Sequence, residues 1–264
     1  MATRISESDT MFRIRRFRES NDHEGVERMG MDCYTSAGVQ NRNDDSFIAI
    51  ECHDGRGCLR LGMNGRMTQD MIDFECGDFV LCAVSDGVGS SAYGGEASAM
   101  AVSELLYSVE YLVESEDVAK AIVDTVSSIS DAIADNLDSG GKATLVGYLE
   151  VGDDRGYIFN TGDSVAEACR GRWRYRSLEH NVSNTSGCGA DDSDAYRLTE
   201  YLGKSEPRVD VDESLPCDKV VLCSDGASVL GSLLDREGCR DLVRQAIDSG
   251  STGNVTIVMF GRDC

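Results

Sequence analysis

The sequence predicts an α+β domain, and three observations lead there. Short apolar runs of strand length recur from Phe47 to Phe260, two long amphipathic helices stand together among them, and no strand–helix–strand alternation repeats. Strands in sequential runs with helices inserted as a block favour segregated sheets and helices over a parallel sheet of repeating units. A length of 264 residues suits one large core, and 41% hydrophobic residues supply the material for it.

Residues 1–30 offer little core material and are expected to form a partly loose arm, leaving 31–264 as the domain. Within that arm Arg13, Arg15, Arg16 and Arg18 alternate with Phe12, Ile14 and Phe17, as in a basic arm or a first strand and unlike a signal peptide. Residues 47–50 read as a strand. The stretch 53–78 carries Gly55, Gly57, Gly62, Gly65 and Gly77 and reads as a hairpin or a long loop. Residues 79–84 are almost continuously apolar, which predicts a strand buried on both faces.

Val102, Leu105, Leu106, Val109, Leu112 and Val113 recur at spacings of three and four, the stripe of a core-facing helix. Ser115, ahead of Glu116 and Asp117, is a candidate N-cap for a second helix striped by Val118, Ile122, Val126, Ile129, Ile133 and Leu137. Gly140 and Gly141 end it. Residues 144–151 and 157–160 are strands joined through Gly152 and Asp153, and 166–170 with 172–176 form a hairpin about Gly171. Residues 179–194, rich in Asn, Ser, Gly and Asp, are expected to be a mobile surface loop. A short helix over 195–202, a strand at 220–223, a helical region over 228–247 and a strand at 255–260 complete the reading.

The formal net charge is −22, so phosphate backbones and anionic lipid are repelled, and nucleic acid and membranes are excluded as partners. No stretch has the length and apolarity of a transmembrane helix. Eleven cysteines are an odd number without a C-x-x-C pair. Several, such as Cys82 and Cys223, sit in apolar runs as small hydrophobes, which fits a reducing cytoplasm. Cys52, His53 and Cys58 match no familiar zinc spacing.

The informative feature is where certain aspartates fall. The segments VLCAVSDG (80–87) and VVLCSDG (220–226) each deliver an Asp-Gly, Asp86-Gly87 and Asp225-Gly226, at the end of a buried strand. The strand at 157–160 ends in Thr161, Gly162 and Asp163, and Asp44 and Asp45 stand at the start of the strand at 47–50. Carboxylates brought together without compensation raise one another's pKa, and the remedy is a hard divalent cation held by carboxylate and carbonyl oxygens. Glycine after each aspartate lets backbone approach closely. Taken singly, an Asp-Gly after a strand is most often only a turn.

The ordered blocks GVQNRNDDS (38–46), AVSDGVGSSAYGGEAS (83–98), GDS (162–164), LCSDG (222–226) and GNVTIVMF (253–260) resemble the signature segments of the type 2C, metal-dependent serine/threonine protein phosphatases. The resemblance spans roughly residues 30–260. It implies a central β-sandwich of two antiparallel sheets flanked by helices, in four layers, with metals at one end. By position, Asp44 is implied as a ligand of one metal where the family more often has Glu. Asp86 is implied to bridge two metals, the Gly87 carbonyl to complete one shell, Asp225 to bind the second metal and Asp163 to stand near a third. Asp86 and Asp225 are then the catalytic carboxylates, with Asp45 and Asn254 supporting them. The implied cofactors are two Mn²⁺ or Mg²⁺ ions, with a third open. The implied reaction is hydrolysis of phosphoserine or phosphothreonine by metal-activated water. The partners are a phosphorylated protein substrate and, with it, a serine/threonine kinase or its targets.

Four positions depart from that pattern. Gln40 stands where an arginine usually grips substrate phosphate, with Arg42 two residues on and on the same face if the segment is extended. Val165 follows GDS, Val229 takes the place of an acidic residue, and Gly253 replaces the aspartate of an Asp-Asn pair ahead of the last strand. These departures leave a second reading open at this point, a catalytically weak or silent phosphatase fold with a binding or regulatory role.

Overall fold

The computed structural model describes residues 30–138, 140–186 and 195–262; most of the expected N-terminal arm, with its basic-apolar alternation, lies outside the described residues. Two antiparallel sheets stack face to face. The larger contains β2 (Ser46–His53), β3 (Arg56–Met63), β4 (Arg66–Asp73), β5 (Phe79–Ser85), β6 (Leu145–Val151), β7 (Arg155–Thr161) and β10 (Asp210–Ser214), in the order β10-β7-β6-β5-β2-β3-β4. The smaller runs β1-β12-β11-β8-β9, with β1 at Gly30–Ser36, β8 at Val165–Arg170, β9 at Trp173–Arg176, β11 at Lys219–Cys223 and β12 at Val255–Gly261. Helices α1 (Gly94–Glu114) and α2 (Val118–Asn136) cover the outer face of the larger sheet, and α4 (Cys239–Asp248) covers the smaller one.

This layering explains the unbroken apolar runs. Along β5, Phe79, Leu81 and Ala83 pack under α1 and α2, while Val80, Cys82 and Val84 join Val220, Leu222 and Phe260 between the sheets. A central strand covered on both faces has no solvent side to leave polar. Each fully buried side chain of this size contributes roughly 1.5–3 kcal/mol relative to exposure. β5 is the middle strand of its sheet and β11 the middle strand of the other, so the Asp-Gly tips of both project from buried central strands.

Several expectations are corrected. The glycine-rich stretch 53–78 takes the hairpin alternative and not the loop, as the antiparallel pair β3 and β4, its glycines serving the turns at Gly55 and Gly65 and close packing against aromatic rings. The N-cap of α2 is Asp117, whose side chain accepts from Lys120 N at 3.0 Å, whereas Ser115 closes α1 and donates to Tyr111 O. Residues 195–202 form no helix. They pair across the chain instead, through bonds such as Thr199 N to His180 O and Leu202 N to Ala143 O. The region 228–247 splits into a 3₁₀ turn (Asp225–Leu230) and α4, separated at Gly231 and Gly238, both at positive φ. Within the expected surface loop, His180 and Asn181 are buried and α3 (Val182–Ser186) is helical; residues 187–194 lie outside the described set. β1 and β10 escape the sequence reading because both are edge strands with few apolar residues, stabilised by pairing with β12 and β7.

Candidate active site

Both Asp-Gly tips emerge at the same end of the sandwich, and the carboxyl of Asp86 is the hub there. Burial pushes Asp86 well above the ordinary carboxylate range, and the neighbouring charges of Asp45, Asp225 and Asp163 push it further. It lies within hydrogen-bonding reach of both Asp225 and Asp45. Asp45 is fully buried, and its Oδ2 accepts from Ser224 Oγ at 2.8 Å and Thr256 Oγ1 at 2.7 Å. Its Oδ1 has no donor among the described residues. Burial lifts Asp45 to about 7, against the pull of those two hydroxyls. Asp163, lifted by burial and by Asp225, also stands at about 7.

Two facing carboxyls can lie this close only if they share a proton or a cation stands between them. An acceptor-only cluster with an orphaned buried oxygen therefore fits a hard divalent cation, which accepts oxygen donors alone. Among the described residues, no three such side chains are already gathered as a ready-made metal cage.

Backbone geometry confirms why glycine follows Asp86. A Cβ on Gly87 would fall 2.4 Å from Gly94 O and 2.5 Å from Asp44 O, so only glycine lets this loop lie against α1 and the Asp44 backbone. Thr144 ties the tips together. Its Oγ1 accepts from Asp86 N at 3.1 Å and pairs with Ser164 Oγ at 2.7 Å, while its N–H donates to Asp86 O. Sequence reasoning missed Thr144, Ser164, Ser224 and Thr256. The hydroxyl residues beside each aspartate, Ser85, Ser164 and Ser224, were the available signal.

The remaining expected residues form the adjoining wall. Asn254 staples the 37–44 loop: its Oδ1 accepts from Asp44 N at 2.7 Å, and its Nδ2 donates to Ala37 O and Arg42 O. Asp44 pairs with Arg42, whose Nε lies 2.9 Å from its carboxylate. The Arg42 side chain is 57% exposed and lines an open cavity of about 640 Å³ together with Asp44, Asn43, Asn64 and Glu96. Gln40 donates to Thr252 O at 2.6 Å, which commits it to the loop that carries Gly253. Gly253 adjoins Asp225: a Cβ there would lie 3.6 Å from Asp225 Oδ1. Val165 is a core residue under α4, and Val229 is exposed.

The raised carboxyls make metal-free stability depend on pH with a definite sign. Asp45 and Asp163 hold protons up to about 7 when folded, against a reference value of 3.8. Their protonation stabilises the fold fully below the reference value, and that contribution is lost as pH rises to about 7. The melting temperature in chelator is expected to fall between about pH 4 and pH 7, the window set by those two values, and saturating Mn²⁺ is expected to flatten the slope. A flat profile in chelator would contradict the clustered arrangement.

The sequence matches the family described as Protein phosphatase 2C over residues 60–256. No curated protein sequence matches it. Among solved structures it is similar to the serine/threonine phosphatase Stp1 of Staphylococcus aureus, at 18% identity and a TM-score of 0.68, covering 94% of this chain and 100% of that one. It is also similar to the S. agalactiae serine/threonine phosphatase (18% identity, TM-score 0.69, 89% and 100% covered). A third is the Mycobacterium tuberculosis serine/threonine phosphatase PstP/Ppp (18% identity, TM-score 0.61, 89% and 99% covered). At such identities the structural likeness speaks for the fold.

Proposed function

The chain belongs to the protein phosphatase 2C family of metal-dependent serine/threonine phosphatases, and we propose that Asp86 and Asp225 are its catalytic carboxylates. The observation that carries this assignment is the meeting of Asp86, Asp225, Asp163 and Asp45 at one end of the sandwich, with the buried Oδ1 of Asp45 left without a donor. The cations are Mn²⁺ or Mg²⁺, two in number, held by Asp44, Asp86, the Gly87 carbonyl and Asp225, with Asp163 serving a third. Bound there, they lower the pKa of water and neutralise phosphoryl oxygens.

The protein's own groups do the rest. Ser224 and Thr256 fix Asp45, which in turn faces Asp86. Thr144 fixes the backbone of Asp86. Arg42, paired with Asp44 and largely exposed, offers a planar pair of donors for substrate phosphate. Gln40 steadies the loop beneath it. The substrate is a phosphoprotein made by a serine/threonine kinase; one structural relative, PppA, is described as a key regulatory component of T6SS in Pseudomonas aeruginosa. Free thiols throughout the described residues support a cytoplasmic setting, and no helix among those residues is long and apolar enough to cross a membrane.

Phosphate release from phosphothreonine and phosphoserine peptides tests the proposal. Turnover is expected with Mn²⁺ or Mg²⁺ and is expected to vanish with chelator. Turnover that survives exhaustive chelation would overturn the assignment.

A further inference from the structure

We infer that His180 is a positioning residue that clamps the Gly162 peptide and so aims Asp163 into the acidic cluster. This inference rests on reading Asp163 as a cation-binding carboxylate. His180 is completely buried. Its Nδ1 accepts from Gly162 N at 3.2 Å, and its own backbone N–H donates to Gly162 O at 2.8 Å. His180 thus holds both backbone polar groups of Gly162 from a different segment, and the Gly162 carbonyl also accepts from Asn160 Nδ2 at 3.3 Å. Because a backbone N–H points at Nδ1, that nitrogen carries the lone pair and the ring proton sits on Nε2. Nε2 then donates to Asp210 Oδ2 at 3.0 Å. Asp210 is held in turn by Arg208, through Nε at 2.7 Å and Nη2 at 2.9 Å.

The position of this clamp points beyond packing. Gly162 has φ +116°, a backbone region rarely adopted by other residues, and it hinges the strand end against Asp163. Asp163 is driven toward Asp225, where repulsion and burial oppose its charge. A free Gly162 hinge would let it swing away. The chain Arg208–Asp210–His180 instead fixes the peptide. A carboxylate that orients an imidazole, which in turn orients a functional group, is an arrangement whose loss costs about 10–100-fold in metal affinity at metal sites.

Four variants test this, each measured by Mn²⁺ calorimetry and by amide hydrogen exchange of the metal-free protein. His180→Gln retains a donor toward Asp210 but loses the Nδ1 acceptor. Gly162 exchange is expected to rise about tenfold, as for the loss of one buried hydrogen bond. One Mn²⁺ site is expected to weaken by about 10–100-fold. His180→Asn places Oδ1 where Nδ1 stood and is expected to restore both readings toward wild type, which a purely space-filling histidine would not predict. Asp210→Ala alters only a partly exposed side chain and is expected to shift both readings in the same direction as His180→Gln but by less, so it carries the test if His180→Gln fails to fold. Asp163→Asn is the reference. If it weakens a Mn²⁺ site while His180→Gln and Asp210→Ala leave binding and Gly162 exchange unchanged, the role of His180 is overturned. If Asp163→Asn leaves every Mn²⁺ site unchanged, the reading of Asp163 itself fails, and the inference with it.

Discussion

Asp86→Asn protein is expected to lose at least about 100-fold of its phosphatase activity and yet to melt at a higher temperature than wild type in chelator. The two effects have one origin. Asp86 faces Asp45, Asp225 and Asp163, so without cations it is the most heavily repelled carboxyl of the cluster. Asparagine keeps its shape, removes that charge and brings an amide donor into reach of the unpartnered Asp45 Oδ1. With cations absent, the substitution therefore relieves a penalty. With cations present, it deletes a charged oxygen from their binding site. Enzyme assay and chelator melts separate the two. A large fall in metal-free melting temperature would show that Asp86 serves the fold.

Gly253→Asp is expected to tighten Mn²⁺ binding by about 10–100-fold and to raise activity at limiting Mn²⁺. The wild type is accordingly expected to need high metal concentrations. Two findings favour this substitution. Gly253 is absent from the glycines at positive φ, so an L side chain meets no backbone strain there. A Cβ at this position meets only Asp225 Oδ1 at 3.6 Å and Gly226 Cα at 3.9 Å within contact range. The new carboxylate would stand beside Asp225 and add Coulombic attraction for a cation shared between them. In chelator the same proximity is repulsive, so the metal-free melting temperature is expected to fall. A well-folded Gly253→Asp protein with unchanged calorimetric Mn²⁺ affinity would show that position 253 does not face the cation.

The sandwich and its Asp tips were legible because buried central strands leave the strongest mark a strand can make. Phe79–Ser85 and Lys219–Cys223 each show an apolar run cut off by Ser-Asp-Gly. Edge strands leave a weaker one: β10 reads DVDES, and nothing but its partner β7 makes it a strand. The helix expected over 195–202 failed because its backbone finds partners in residues 143 and 180–183, distant in sequence and invisible to any local pattern. The same limit applied at the site. The strand-end placement of Asp86, Asp225 and Asp163 was readable from the turn chemistry, whereas the burial of Asp45 and of His180 depends on which segments come to lie over them.

The bonds from Asp45 to Ser224 and Thr256 span 179 and 211 residues of chain. β1 pairs with β12 so that Gly30 stands opposite Gly261. The acidic centre is thus stitched from the two ends of the described chain, and it does not exist until the last strand has arrived. During synthesis the Asp86 tip leaves the ribosome long before its partners, and closing so wide a loop is slow because entropy is spent before contacts reward it. Divalent cations therefore cannot template early folding; they act late, as ligands that lock an already assembled structure by mass action. A chain ending ahead of Val255 is expected to bind Mn²⁺ no better than an unstructured acidic peptide in equilibrium dialysis. Full-length affinity in that truncated chain would place metal binding before closure rather than after it.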